Sequence, residues 1–80
     1  MSEVEDEIRR FLLARLPAED APRLEQLDLF EAGVLDSIAL TELVEAVERR
    51  SGRELDFIEV DPDELGSFAG VVEQLSGALD

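Results

Sequence analysis

Residues 33–44 read GVLDSIALTELV, with Ser37 between Asp36 and Ile38 at the head of an amphipathic run. A serine acts as a nucleophilic catalyst only when a base takes its proton and a further group orients that base. The chain has no histidine, cysteine or lysine to fill those roles. Carboxylates remain, and these ionise at about pH 4, which makes them poor bases at neutral pH. Hydrolysis by two flanking carboxylates needs a cleft, for which 80 residues leave little room. The acidic residues Asp61, Asp63 and Glu64 lack the D-x-D-x-D-G spacing and distal glutamate of a calcium loop, so they read as helix capping and no metal chemistry is indicated. Ser37 can instead accept a phosphate ester, because a helix N-terminus offers an anion unpaired N–H donors and a favourable dipole. A modifying enzyme would then do the chemistry. The same serine also suits a plain N-cap, and residue types alone leave both readings open.

The elements that must position Ser37 follow from apolar spacing. Val4, Ile8, Phe11, Leu12 and Leu16 recur at helical intervals, Ser2 and Glu5 form a capping box, and Pro17 stops the run. Arg15 falls inside this apolar stripe, so either its stem snorkels past the core edge or the helix frays there. From Pro17 to Asp36 runs a connection much longer than a usual helix–helix loop, yet studded with Leu24, Leu27, Leu29 and Phe30, which argues that it is packed down. Gly33 near its end suits a backbone conformation with positive φ.

A second helix is expected from about Ser37 to Arg50, capped by Asp36 or Ser37, closed by Gly52 in the left-handed region, with Arg49 and Arg50 favouring its C-terminal dipole. Its core stripe is Leu40, Leu43, Val44 and Val47, which leaves Ile38 on the opposite side with Glu42, Glu45 and Arg49. An exposed isoleucine beside carboxylates suits a partner contact, although single exposed apolar residues are common. RELDFIEV reads as a loop into a short helix at DPDEL, where Asp61 caps and Pro62 takes the first position. Gly66 ends that turn, and Ser67 caps a last helix with Phe68, Val71, Val72 and Leu75 as its stripe. Gly70 is a weakness or a close packing point there, and SGALD is expected to fray. The fold class is all-α, a four-helix bundle with a long first loop and a short third helix, as one domain over residues 1–80.

Composition narrows the function. Twenty-one acidic residues against seven arginines give a formal charge of −14, while 45% apolar residues argue for a folded chain. Such a field repels nucleic acid and anionic membranes and favours proteins with basic surfaces, besides keeping a small protein soluble. The opening MSEVEDEIRR is acidic where a secretory signal would be basic and then apolar, and no apolar run approaches the roughly 20 residues that span a bilayer. With no cysteine, the chain is compatible with a reducing compartment, and the expectation is a cytoplasmic monomer.

GVLDSIALTELVEAVE resembles the attachment region of acyl and peptidyl carrier proteins, in which a Gly-x-x-Asp-Ser-[Leu/Ile/Met] element opens the second of four helices. The likeness extends over nearly the whole chain, through Leu29, Phe30 and Gly33 of the first loop, Glu42-Leu43-Val44 and the short third helix. It implies that Ser37 carries 4′-phosphopantetheine, transferred from coenzyme A by a magnesium-using phosphopantetheinyl transferase that Asp36 helps to place the serine. The arm's thiol would hold an acyl or aminoacyl group as a thioester, loaded by a ligase or acyltransferase and passed to a condensing or tailoring enzyme. Ile38, Glu42, Glu45 and Arg49 become the partner-binding residues. Arg49 and Arg50 make the end of the second helix basic where fatty-acid carriers are commonly acidic, and DFIEVDPDELGSF is more similar to stand-alone carriers of the D-alanyl type and of secondary metabolism. The resemblance thus implies a non-catalytic carrier in polyketide or nonribosomal peptide assembly, as in antibiotic biosynthesis. The rival reading is an acidic helical adaptor acting by protein contact alone, with Ser37 a cap or a kinase site.

Overall fold

A computed structural model describes residues 2–79. Helix α1 (Glu3–Ala14) begins where the Ser2 hydroxyl accepts the Glu5 N–H at 3.0 Å, and Glu3, Glu5 and Asp6 place negative charge on its positive end. Val4, Ile8 and Leu12, four residues apart, are buried, while Phe11 and Leu16 only flank the core. The helix closes before Leu16, because the residue preceding a proline is pushed out of the helical region. Arg15 is its C-cap, and its side chain leaves the stripe for a partner in the loop.

The connection to α2 (Ser37–Ser51) contains a 3₁₀ helix, Ala21–Gln26, that apolar spacing did not announce. Pro22 fits its first turn and Leu24 is its buried residue. Leu29 is fully buried and Leu27 partly so, whereas the Phe30 ring stays half exposed beside Gly66, so the loop is packed down through its leucines. In α2 the buried set is Ala39, Leu43, Val44, Ala46 and Val47, and Leu40, expected in the core stripe, sits at its edge. Gly52 ends the helix at φ 71°, the left-handed cap expected there.

The short third helix expected at DPDEL is the 3₁₀ turn Pro62–Glu64, with Asp61 as its cap and Pro62 in its first turn, and a further 3₁₀ turn, Phe57–Glu59, precedes it in the segment read as a loop. Each is nucleated by an aspartate just ahead of it, with the Asp56 carboxylate accepting the Ile58 N–H and Asp61 the Asp63 N–H, both at 3.0 Å. Capping therefore accounts for Asp61. Helix α3 (Phe68–Ala78) starts at Ser67, whose hydroxyl accepts the Gly70 N–H at 3.0 Å. The expected fraying at SGALD does not occur through Leu79, and Asp80 lies outside the described residues. Leu79 forms an antiparallel bridge with Leu55, the Asp56 N–H donates to the Ala78 carbonyl at 2.9 Å, and Ala78 is buried, so tertiary pairing holds the end that local propensity would release. Gly70 is a close packing point, since a Cβ there would overlap the Glu64 carbonyl oxygen. The three helices and the buried leucines of the loop, Leu24 and Leu29, enclose one apolar core with Ile8, Leu12, Leu43, Val47, Leu65, Val71 and Leu75 at its centre.

Candidate functional site

The loop delivers Ser37 through a knot of backbone hydrogen bonds around Leu29. Its N–H donates to the Gly66 carbonyl at 2.8 Å, and its own carbonyl accepts from both Val34 and Leu35 at 3.1 Å. Two features bend the chain back onto this point. The Asp28 carboxylate accepts the N–H groups of Phe30 and Glu31 at 3.0 and 3.2 Å, and Gly33 takes φ 73°, a conformation that glycine adopts without steric cost. Val34 and Leu35 are then buried, and the next three residues, Asp36, Ser37 and Ile38, emerge into solvent.

Of the two candidate caps, Asp36 is the one used. Its backbone is extended, its Oδ1 accepts the Ala39 N–H at 2.7 Å, and its carbonyl accepts the Leu40 N–H at 2.8 Å. Capping thus leaves the Ser37 hydroxyl unused: among the described residues no partner holds Oγ, and only the Ser37 carbonyl is engaged, by the Thr41 hydroxyl at 3.0 Å. The Ser37 and Ile38 N–H groups, in the first turn, likewise have no acceptor among the described residues. An exposed hydroxyl beside two free N–H donors at the positive end of a 15-residue helix fits a phosphodiester.

The face of α2 above the serine carries the expected residues. Ile38 is 70% exposed, and Glu42, Glu45 and Arg49 are exposed on the same side, since steps of about 100° bring these four within a narrow arc. Arg49 lies roughly 18 Å along the axis from Ser37 at 1.5 Å per residue. Glu42 approaches the Arg15 guanidinium at 3.8 Å, a link that sequence spacing did not predict. Its one sequence signal was an arginine inside an apolar stripe. Phe57 and Ile58, exposed at 51% and 92%, are two further large apolar side chains in solvent, in the RELDFIEV segment read from sequence as a loop. Among the described residues no cluster of three or more acidic, histidine or cysteine side chains is arranged to hold a metal, and no helix is long and apolar enough to cross a membrane.

Comparison with protein families decides what kind of site this is. The family model for the phosphopantetheine attachment site matches residues 6–75, from the first turn of α1 to the Leu75 core position in α3. The chain belongs to that family. Searches of curated proteins and of solved structures returned no match. Membership makes the domain a place of covalent 4′-phosphopantetheine attachment, and phosphopantetheine-binding domains are in general non-catalytic carriers served by modifying and loading enzymes. The small helical bundle is the architecture expected for such a carrier.

Proposed function

We propose that this chain is an acyl or aminoacyl carrier, folded over residues 1–80 as a single domain, whose attachment point is Ser37. The observation that carries the reading is the division of labour at the head of α2: Asp36 caps the helix, and the adjacent serine hydroxyl is left exposed with no partner among the described residues. A phosphopantetheinyl transferase using magnesium would join Ser37 Oγ to the pantetheine-bearing phosphorus of coenzyme A, the nucleotide half leaving and the hydroxyl proton passing to the transferase. When attached, the arm supplies a thiol that holds cargo as a thioester. The chain's own residues do the rest by position. Asp36 fixes the first turn from which Ser37 projects, and the Ser37 and Ile38 N–H groups, without an acceptor among the described residues, would be the donors available to the attached phosphate.

Ile38 is the apolar anchor for partner enzymes, with Glu42 and Glu45 meeting their basic groups and Arg49 an acidic one. Burying Ile38 fully is worth roughly 1.5–3 kcal/mol, tenfold or more in affinity. The partners in this reading are a loading ligase or acyltransferase and a condensing or tailoring enzyme. The basic Arg49-Arg50 end of α2 and the segment DFIEVDPDELGSF support a place in polyketide or nonribosomal peptide assembly. The charge of −14 argues against nucleic acid and anionic membranes as partners and favours a monomer, and a cytoplasmic location, with which the absence of cysteine is compatible, completes the reading.

The test is intact-protein mass spectrometry after incubation with coenzyme A, magnesium and a promiscuous transferase, alongside Ser37→Ala. One added phosphopantetheine on the wild type and none on the variant is the expected result. No addition to a folded wild-type sample would return the chain to the adaptor reading, and addition to the variant would move the site away from Ser37.

A further inference from the structure

Arg15 is the residue whose placement the carrier reading leaves without a role. It caps α1 at the far end of the long loop from Ser37, yet its side chain reaches three separate elements. Its guanidinium lies over the Phe11 ring of α1 at 5.5 Å, Nε donates to the Val34 carbonyl at 3.3 Å, and Nη1 stands 3.8 Å from Glu42 Oε2 on α2. The middle contact is the informative one. The peptide unit between Val34 and Leu35 is held at both ends, its N–H donating to the Leu29 carbonyl at 3.1 Å and its carbonyl accepting from Arg15. That unit is the last one packed against the core before the chain turns out into Asp36 and Ser37. Its plane sets the direction in which the backbone enters α2.

We infer that Arg15 is a positioning residue for the modification of Ser37. It acts through the Val34–Leu35 peptide and Glu42 to hold the head of α2 in the orientation a transferase meets. A planar guanidinium makes both contacts at once because Nε and Nη1 donate along diverging directions in one plane, an arrangement that a single ammonium does not reproduce. A surface ion pair at 3.8 Å contributes little stability by itself. The role assigned to Arg15 is therefore geometric, and its loss shows in the rate of modification more than in melting.

The inference rests on Ser37 being the attachment point, and the experiment separates the two. Wild type, Ser37→Ala, Arg15→Ala, Arg15→Lys and a control, Arg10→Ala, are incubated with coenzyme A, magnesium and a promiscuous transferase, and kcat and KM for the protein are read by mass spectrometry. Failure of the wild type to gain the arm, or its gain by Ser37→Ala, overturns the attachment reading and the inference together. With that reading standing, Arg15→Ala is expected to lower kcat about three- to tenfold with KM little changed, and Arg15→Lys to restore melting but not kcat. Hydrogen exchange in Arg15→Ala should quicken at the Leu35 amide while Leu43 and Leu75 stay protected. Wild-type kcat in Arg15→Ala, full rescue by lysine, or an equal loss in Arg10→Ala would refute a positioning role.

Discussion

Two glycines of α3 make opposite predictions for the same substitution. Alanine is preferred to glycine inside a helix by up to about 1 kcal/mol, so propensity alone favours Gly70→Ala and Gly77→Ala equally. At Gly77 a Cβ meets nothing within 4 Å. At Gly70 it would overlap the Glu64 carbonyl oxygen and come within 3.0 Å of the Glu64 carbonyl carbon. The obstacle is backbone of the 3₁₀ turn Pro62–Glu64, which cannot swing aside as a side-chain tip can. Relief requires the turn to lift off α3, and Leu65, only 2% exposed at the end of that turn, would be drawn from the core with it. Overpacking of this kind costs up to about 3 kcal/mol, and the propensity gain offsets about 1 of it. A net loss of about 2 kcal/mol should lower Tm by roughly 8–16 °C, since a chain of this size loses about 4–8 °C per kcal/mol. Gly77→Ala, in the last turn, should instead raise Tm by a few degrees at most. Thermal melts of both variants by circular dichroism at matched concentration decide the matter. A Gly70→Ala melt at or above wild type would refute the close packing of α3 on the Pro62–Glu64 turn.

Leu43→Ala should be more severe, because a fully buried leucine replaced by alanine costs roughly 2–5 kcal/mol, comparable to the roughly 3–5 kcal/mol a core of this size supplies. An unaltered Tm would show that this face of α2 does not meet the core. Ile38→Ala, on the opposite side of the same helix, should leave Tm within a degree or two while raising KM for the transferase or a loading enzyme. Unchanged kinetics with every partner tried would remove its anchor role.

The parts of this protein legible in its sequence are those governed by neighbours within one or two turns. The apolar stripes of α1, α2 and α3, the Ser2, Asp61 and Ser67 caps, and the positive φ of Gly33 and Gly52 all arise from helical periodicity and backbone sterics, which act over a few residues. The Asp-Ser pair was equally visible, and spacing alone placed Ile38, Glu42, Glu45 and Arg49 on one exposed face. Tertiary structure decided what depends on residues far apart in the chain. The Leu55–Leu79 bridge carries α3 through Gly77, where local propensity predicted fraying. Leu24 and Leu29 pack the first loop on the core with Ala21–Gln26 as a 3₁₀ helix, while Phe57 and Ile58, in the turn after α2, stay outside. Arg15 finds Val34 and Glu42 only because α1, the loop and α2 converge at one corner. The choice of cap at the head of α2 was decided there as well. Asp36 and Ser37 have equal chemical claims, but the entry angle set by the buried Val34 and Leu35 puts the extended backbone at Asp36, so its carboxylate takes the Ala39 N–H and the serine faces solvent.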